Sequence, residues 1–405
     1  MVTNKELNKL NVPHLRFPEF HGEWEKHGLS EYLDFKNGLN PDSKRFGKGI
    51  KFISVMDILN NPVITYDCIR ASVQATDAEI SSFSVENGDI LFQRSSETLE
   101  DVGRANVYID DKVAVFGGFV IRGKKKANYN PLFFRYLLSS PYARKRIIPM
   151  GAGAQHFNIG QEGLSKVLLN FPSIEEQTKI ASLLHLLDER IATQSKLIED
   201  LKKLKSAIID YAINSLDTDF AKFGSLYEMA GEGGTPTTSN ASFYDNGKIP
   251  FIKIDDLKKK YLTENKDFIT ELGLQKSSAW LVPTRSILFS NGATIGEITI
   301  TTYPVCTKQG ILGIVPKPNI DVEFLYYFMS SSYFKRAVSR IVTEGTMKTA
   351  YLKDINNIRC PIPTKEKQLD IAKMPSALNS KIDFEQSILK LFCSQKQYLL
   401  RQMFM

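Results

Sequence analysis

The sequence contains no long apolar run, no paired cysteines and no apolar amino-terminal core. No stretch of 18 or more apolar residues occurs, so a membrane-spanning helix is not expected. The opening segment "MVTNKELNKLNVPHLRFPEF" lacks the apolar centre of a signal peptide, which predicts a cytoplasmic protein without membrane contact. The cysteines stand far apart without a CxxC pair, which argues against a disulfide framework or a zinc site; they are Cys68, Cys306, Cys360 and Cys393.

Motifs of catalysis and nucleotide binding are also lacking. "GEGGTP" misses the GK[ST] of a P-loop, and "GAGAQHFNIG" lacks the strand before it and the helix with a suitable acid after it. "NPLF" is one letter from the N-P-P-[YF] of amino-methyltransferases, but a helix start with Asn130 as N-cap and Pro131 in the first turn explains it better. The histidines form no HExxH or triad-like group. We therefore expect no catalytic residue, metal ligand or cofactor on this chain.

Acidic residues are absent between Asp111 and Glu162, within a chain of net charge +7. Nine basic residues fill that interval: Lys112, Arg122, Lys124, Lys125, Lys126, Arg135, Arg144, Lys145 and Arg146. Nucleic acid is the usual partner of a dense cationic face, so the run indicates contact with a polyanion. Chance clustering on a solvated surface is the alternative.

The chain repeats itself at a shift of 191 residues. Pro172 aligns with Pro363 and Gln177 with Gln368, while "LLSSPYARKRI" aligns with "FMSSSYFKRAV". Further upstream the shift drifts, since "GDILFQ" resembles "RSILFS" at a slightly larger distance. The repeat predicts two copies of one unit, each a variable domain followed by a long helix.

Each of the two long segments carries apolar residues at alternating steps of four and three, the period of a coiled coil. The predicted seam consists of Ile180, Leu184, Leu187, Ile191, Ile198, Leu201 and Ile208 in the first segment, and Ile371, Leu378, Ile382, Leu389, Phe392 and Leu399 in the second. The seams are polar at matching places, Gln194 with Glu385 and Lys205 with Lys396. Matched breaks favour two helices packed on each other over two helices buried separately in their own domains.

Antiparallel helices of about 40 residues would be rods of about 60 Å, whose length would fix the gap between two DNA half-sites. A capping box, Ser173 with Glu176, predicts the start of the first helix. The second segment lacks the box, because Lys367 stands three residues after Thr364, and it carries Pro375 where the first has Leu184. An interior proline loses a hydrogen bond, so we predict a kink or a late start near Lys373–Ser376 and a shorter or bent distal helix.

Several segments together resemble the DNA-specificity subunits of type I restriction-modification systems. They are the central "FPSIEEQTKIASLLHLLDERI", its distal counterpart "CPIPTKEKQLDIA", the segment before each of these, the amino-terminal "LRFPEFHGEW" and "GGTPTTSNASFYDNGKIPFIKIDDL". The resemblance covers nearly the whole chain. It implies an α+β fold in which two mixed α/β target-recognition domains are separated by two long helices packed as an antiparallel coiled coil, with a pseudo-twofold internal repeat. The expected segments are 1–170 and 216–360 for the recognition domains, and 171–215 and 361–405 for the spacer helices.

The same resemblance implies the partners. Each recognition domain would read one half of a split site in double-stranded DNA, and the helices would dock two modification subunits that carry the adenine methyltransferase. Motor-nuclease restriction subunits would join for cleavage. S-adenosylmethionine, ATP and Mg would then be bound by the partners, and this chain would be non-catalytic by itself.

Candidate DNA contacts follow from side-chain chemistry, since Arg and Lys suit guanine, Asn and Gln suit adenine, and Lys, Ser and Thr hold phosphates. In the first domain they are Lys44, Arg45, Lys48, Gln93, Arg94, Ser95, Arg104, Lys124, Lys125, Lys126, Gln155, His156 and Asn158. In the second they are Thr235, Thr237, Lys253, Asn291, Thr294, Lys308, Gln309, Thr346, Lys348 and Thr349. For each residue taken alone, an ordinary surface position is the favoured alternative.

The two recognition domains differ greatly outside the shared anchors, which predicts an asymmetric site. Short strands are expected in "GIKFISVMDI", "GDILFQR" and "KIPFIKIDDL", and helices at 131–145 and 322–341. Two other classes stay open: an autonomous enzyme acting on DNA, and a duplicated scaffold that binds proteins only.

Overall fold

A computed structural model describes residues 11–292, 294–342 and 348–405. The chain divides into two compact units: unit 1 comprises Met1–Gln194 with Ile388–Met405, and unit 2 comprises Ser195–Ser387. Each unit therefore contains one α/β domain and a part of both long helices. Within the described ranges, no helix has the length and apolarity needed to cross a membrane.

Unit 1 contains short strands, short helices and the beginning of the first long helix. The strands are β1 (Glu25–Gly28), β2 (Leu33–Asn37), β3 (Phe46–Ile53), β4 (Ser72–Val73), β5 (Ser84–Val85), β6 (Ile90–Gln93), β7 (Ser95–Ser96), β8 (Ala105–Val107), β9 (Ala114–Phe116), β10 (Val120–Lys125), β11 (Phe157–Asn158) and β12 (Leu168–Phe171). The helices are α1 (Leu29–Tyr32), α2 (Val55–Asn60), α3 (Asp77–Phe83), α4 (Pro131–Ser139), α5 (Pro141–Ile147), α6 (Gln161–Ser165) and α7 (Ile174–Asn214), whose second half belongs to unit 2.

Unit 2 also contains short strands, short helices and the second long helix. Its strands are β13 (Phe220–Lys222), β14 (Tyr227–Glu232), β15 (Ile249–Ile252), β16 (Tyr261–Leu262), β17 (Asp267–Ile269), β18 (Ile287–Ser290), β19 (Ile298–Thr301), β20 (Cys306–Thr307), β21 (Ile311–Pro316) and β22 (Arg359–Pro361). Its helices are α8 (Glu271–Gln275), α9 (Val322–Ser330), α10 (Ser332–Ile341), α11 (Leu352–Ile355) and α12 (Lys365–Gln402), whose last part belongs to unit 1.

The main sheets of the two units have corresponding strand orders. In unit 1 the order is β2-β10-β6-β8, and in unit 2 it is β14-β21-β18-β19-β16. The central strands β6 and β18 are buried along their whole length, as their apolar sequences "ILF" require. A second sheet lies in each unit, ordered β4-β3-β9-β5 and β17-β15-β20, with a parallel pair between β3 and β9 and between β15 and β20. The internal repeat predicted from the sequence is thus present in the strand pairing.

The helices predicted at 131–145 and 322–341 are each a pair of helices. The break falls at a serine that ends one helix and caps the next: the hydroxyl of Ser140 accepts from the amide of Ala143, and that of Ser331 from the amide of Phe334, both at 3.2 Å. A side-chain cap satisfies an amide that the new helix leaves free, which favours the break at this place. The sequence prediction of single helices was wrong in this respect.

The long helices pack on each other in antiparallel directions within each unit. In unit 1, Ile180, Leu184 and Leu187 of α7 share a core with Leu399 of α12. In unit 2, the later residue Ile209 of α7 shares a core with the earlier residue Ile371 of α12. The predicted seam residues are buried or half-buried in both helices. Separate burial of the two helices, the alternative, does not hold.

The lysines that interrupt the seam have partners on the opposite helix. In unit 1 the ammonium of Lys396 contacts the carboxylate of Asp188. In unit 2 the ammonium of Lys205 donates to the side-chain oxygen of Asn379 at 2.9 Å, and burial lowers the pKa of Lys205. In the repeat, Lys205 corresponds to Lys396 and Asp188 corresponds to Asn379. The matched polar breaks in the seam therefore mark the same contact between the two helices, which occurs once in each unit.

Two expectations about the helix starts need correction. Helix α12 begins at Lys365 and continues through Pro375, so the late start was wrong, and the helix has 38 residues against 41 in α7. Only half of the predicted capping box forms in α7. The amide of Glu176 donates to the hydroxyl of Ser173 at 3.4 Å, but the carboxylate of Glu176 binds the guanidinium of Arg16 at 2.8 Å instead of returning to the cap.

A buried glutamine joins each long helix to the helix pair of its domain. The side chain of Gln177 donates to the carbonyl of Pro172 at 3.0 Å and accepts from the amide of Asn130 at 3.1 Å. Gln368 does the same with the carbonyl of Pro363 at 2.9 Å and the amide of Asp321 at 2.7 Å. Because Asn130 and Asp321 cap α4 and α9, the glutamine fixes the start of that helix against the long helix.

Replacing Gln177 by Leu is expected to destabilise the chain by about 1–3 kcal/mol, because a buried donor and a buried acceptor lose their partners. Gln368→Leu should cost a similar amount in unit 2. Urea unfolding of both variants measures the loss, with the exposed Gln155→Leu as the matched control. A loss no larger than that of the control would contradict the role of the buried amide.

Candidate nucleic-acid interface

In each unit, the end of the central strand of the main sheet has the same backbone contacts. In unit 1 the amide of Arg94, directly after β6, donates to the carbonyl of Phe119 at 2.9 Å. In unit 2 the amide of Asn291, directly after β18, donates to the carbonyl of Gly310 at 3.0 Å. Arg94 and Asn291 therefore occupy equivalent places, as do Phe119 and Gly310.

Further chain segments meet at the same point. The carbonyl of Arg94 accepts from the amide of Ile159, and the carbonyl of Asn291 accepts from the amide of Ala350, both at 2.9 Å. These bonds bring the segments before α6 and α11 to the strand ends. We call this shared set of backbone contacts the reading frame, a structural term that has no relation to translation. It comprises residues 93–95, 118–119 and 155–159 in unit 1, and residues 290–292, 309–310 and 348–350 in unit 2.

A hairpin next to each reading frame places one more side chain beside it. The amide of Gln93 donates to the carbonyl of Arg104 at 2.7 Å, and the amide of Ser290 donates to that of Glu297 at 2.9 Å. Arg104 and Glu297, at equivalent places, have opposite charges. The guanidinium of Arg104 contacts Asp101 at 2.5 Å and is half exposed. The backbone is thus repeated while the chemistry of the side chains differs.

Two candidates at the strand ends are turned inward. Gln93 is buried and donates from its side chain to the carbonyl of Ser95 at 2.9 Å. Asn291 is buried and donates to the carbonyl of Ala350 at 3.2 Å. These two side chains therefore stabilise the backbone of the reading frame. The exposed side chains around the reading frame are the ones available for contact with a ligand.

In unit 1, the reading frame brings together several of the sequence candidates. The hydroxyl of Ser95 donates to the side chain of Asn158, and the strands β7 and β11 that carry them are paired. The guanidinium of Arg94 donates to the carbonyl of Gly118 at 3.3 Å. Gln155 and His156 are exposed on the neighbouring loop. Arginine, serine, asparagine and glutamine on one surface suit contact with base edges and phosphates.

The triple lysine lies outside this surface group and has partners of its own. Lys124 contacts Glu86 at 2.8 Å, and Lys126 contacts Asp34 at 3.0 Å. The ammonium of Lys125 lies 4.9 Å from the ring centroid of Tyr129. The acids come from remote parts of the sequence, so the triple lysine does not form a bare cationic face. Arg122 and Arg135 of the same run are also engaged, with the carbonyl of Ser84 and with Asp188.

The candidates just before β3 and within it fall into two groups, one paired with an acid and the other exposed. Arg45 forms a bidentate ion pair with Glu79, and the hydrogen bonds from Arg45 lower the pKa of Glu79 to about 2. Its remaining nitrogen donates to the carbonyl of Gln74 at 2.8 Å. Lys44 and Lys48 are exposed. Arg45 therefore stabilises the domain, and the two lysines are the cations available there.

In unit 2, Gln309 of the reading frame and Lys308 directly before it are exposed on the turn between β20 and β21. The amide of Gln309 donates to the hydroxyl of Thr235 at 3.3 Å. Around them, Thr237, Thr294 and Lys348 are exposed, and Thr349 is half-buried. Lys253 contacts Asp267 at 2.8 Å. Thr346 lies outside the described residues.

Sequence reasoning left out Phe119. Its side chain is 69% exposed although phenylalanine is usually buried, and its carbonyl is part of the reading frame. The available signal was an aromatic residue directly after two glycines, Gly117 and Gly118, at a turn between two apolar strands.

Two α/β domains on paired long helices, each with the same reading frame, define a duplicated protein whose halves differ in surface chemistry. Comparison with known families agrees with this description. Residues 21–203 and 217–391 match the family described as the type I restriction modification DNA specificity domain. The chain therefore belongs to the family of type I restriction-modification specificity proteins.

Several relatives are distant in sequence but similar over most of their length. The type I restriction enzyme HindI specificity subunit of Haemophilus influenzae is 21% identical over 408 residues, covering 80% of this chain and 86% of the relative. The crystal structure of the S subunit from M. genitalium matches with a TM-score of 0.57 at 16% identity, covering 97% and 99% of the two chains. A chain from a study of complex assembly and conformational transition in the type I R-M system matches with a TM-score of 0.60 at 14% identity, covering 96% and 98%. The two structures support the fold.

Proposed function

We propose that this chain is the sequence-specific DNA-binding subunit of a type I restriction-modification complex and that it reads a bipartite, asymmetric site. Each recognition domain, at 1–170 and 216–360, would read one half-site. The observation that carries the proposal is the reading frame, which repeats its backbone contacts in both units while Arg94, Arg104 and Phe119 are replaced by Asn291, Glu297 and Gly310. A shared backbone with different side chains suits two readers of different sequences.

We further propose that the long helices, at 171–215 and 361–405, dock two modification subunits. Helix α7 carries large apolar side chains at a spacing of seven residues, outside the seam and exposed: Leu197, Leu204 and Tyr211. A spacing of seven puts them on one face of the helix, and apolar side chains repeated on an exposed face favour a protein partner. On α12, Leu391 and Tyr398 are exposed at the same spacing.

The chemistry would then belong to the partners, acting in the cytoplasm. The modification subunits would bind S-adenosylmethionine and methylate adenine, and motor-nuclease restriction subunits would use ATP and Mg to cleave. This chain would direct both activities without being catalytic. Methyl transfer by the purified chain alone would contradict that division of work.

Reconstitution with modification subunits tests the proposal. The complex should bind its site tightly in low salt, with log K falling steeply against log salt because several phosphates are contacted. The measurement is a binding titration over a range of salt concentrations, with a random-sequence duplex as the control. Equal affinity for both duplexes would contradict sequence-specific binding, and the absence of DNA binding would leave a scaffold that binds proteins only.

Exchange of residues 1–170 for those of a related chain should change one half-site and leave the other unchanged. Mapping of modified adenines across a genome, with the original and the exchanged chain, reads out both half-sites at once. A change in both half-sites would contradict the assignment of one half-site to each domain.

A further inference from the structure

An apolar cleft of about 460 Å³ opens beside the reading frame of unit 1, at the turn between β9 and β10. Its lining includes Phe46, Phe52, Met56, Ser95 and Phe119. Because Ser95 belongs both to the lining and to the reading frame, the cleft is continuous with the candidate nucleic-acid interface.

Three large apolar side chains of the cleft face solvent. Phe119 is 69% exposed, Met56 60% and Phe46 43%. A single exposed apolar residue is ordinary, but several around one concave surface with a polar rim indicate a binding site. The ring of Phe46 is held edge-on against Phe52, with 5.1 Å between ring centroids. The wall of the cleft is therefore formed by packed rings.

The turn that carries Phe119 is fixed by its contacts. A Cβ atom on Gly117 would lie 2.5 Å from the ring of Phe52, so only glycine fits against that ring. The amide of Gly118 donates to the carbonyl of Leu39, and the carbonyl of Phe119 accepts from the amide of Arg94, both at 2.9 Å. Phe119 is thus positioned next to Arg94 by the backbone.

The equivalent turn of unit 2 has the opposite chemistry. Gly310 stands at the place of Phe119, and the two residues before it are Lys308 and Gln309, both exposed. A lysine and a glutamine can hydrogen-bond to base edges, whereas a phenylalanine cannot. At one structural position, unit 1 therefore offers an apolar surface and unit 2 offers donors and an acceptor.

We propose that the cleft of unit 1 receives the 5-methyl group of a thymine in the first half-site. In the major groove, each base pair displays polar edge atoms, and the thymine methyl is the apolar group that phenylalanine contacts. Arg94 and Ser95 at the rim would bind polar groups of the same DNA segment. This inference rests on the proposed function and names the base group that the apolar surface reads.

Uracil substitution tests the proposal, because uracil differs from thymine only by the methyl group. The complex with modification subunits is titrated with duplexes carrying its mapped site, in which each thymine of the first half-site is replaced by uracil in turn. One replacement should weaken binding about 3- to 10-fold, as expected for loss of one buried methyl group and its contacts. The same scan of the second half-site serves as the comparison.

A variant ties the effect to the cleft. Phe119→Ala should bind the thymine and uracil duplexes equally, while Phe119→Leu should keep part of the difference. The control is Leu168→Ala, which removes another exposed apolar side chain of unit 1, on β12, and should keep the full difference. Thermal unfolding of the variants confirms that each is folded.

The outcomes separate the two proposals. Site-selective binding that is indifferent to uracil at every position overturns the cleft proposal and leaves the proposed function intact. A uracil effect that survives Phe119→Ala also overturns it. Absence of site-selective binding by the wild-type complex overturns the proposed function, and the cleft proposal with it.

Discussion

Replacing Asp188 by Asn is expected to destabilise the chain by about 2–4 kcal/mol, although the side chain keeps its shape. The carboxylate contacts Lys396, accepts from the hydroxyl of Tyr136 at 2.8 Å and pairs with Arg135 at 3.3 Å. All of these groups are largely buried. A neutral amide would leave two cations without their counter-charge, and breaking a buried ion pair on one side is strongly destabilising.

The repeat supplies a matched control. Asn379 holds the place of Asp188 in unit 2 and accepts from Lys205. Asn379→Asp adds a charge next to Lys205, but Asp383 already lies 3.1 Å from the amide of Asn379, so repulsion offsets the attraction. We expect Asn379→Asp to change the free energy of unfolding by less than about 1 kcal/mol, because the substitution lies close to the surface.

Urea unfolding of the full chain measures both variants. A second substitution, Lys396→Met, in the Asp188→Asn background should recover part of the loss, because it removes one of the uncompensated cations. Equal, small effects of Asp188→Asn and Asn379→Asp would show that the ion cluster does not stabilise unit 1.

The long helices could be predicted because their signal is local and repeated. Steps of four and three place the seam, and two copies with the same polar breaks indicate a shared partner. The partners Asp188 and Asn379 could not be predicted, because they lie outside the seam and their pairing depends on the register of two helices far apart in sequence. Of the kink or late start predicted from the interior proline, the late start was wrong, since α12 continues through Pro375. There Ile371 and Ala372 are buried and Ser376 binds the ammonium of Lys260 at 2.9 Å, contacts that offset the lost backbone hydrogen bond.

The segments that meet at the candidate interface were predictable, but the side chains exposed there were not. The shared strand "ILF" and the segment before each long helix marked the places that the structure brings together. Which side chains point outward depends on the pleat at the end of a strand, so Gln93 and Asn291 turned out to be buried. The acid partners of the triple lysine depend on strand order, because β10 pairs with β2, which carries Asp34.

Replacing Arg94 by Ala is expected to lower affinity for the cognate site about 10- to 100-fold and to relax the choice of base at one position of the first half-site. Arg94 follows the central strand of the main sheet, is half-buried, and donates from its guanidinium to the carbonyl of Gly118. A guanidinium that binds two acceptors of one guanine loses both bonds on truncation. Binding of the variant complex to a library of sites, in competition with the wild-type site, measures affinity and base choice together.

Lys48→Ala is the matched comparison, because Lys48 is an exposed cation of the same domain on β3. A lysine that contacts phosphate should, when removed, weaken all sequences alike and reduce the slope of log K against log salt by about one. Arg94→Ala should instead change the ranking of sequences and leave the second half-site untouched, since Asn291 holds the equivalent place in unit 2 with its own contacts. If Arg94→Ala weakens every sequence equally, Arg94 contacts the DNA backbone, and the base choice of the first half-site belongs to other side chains of the reading frame.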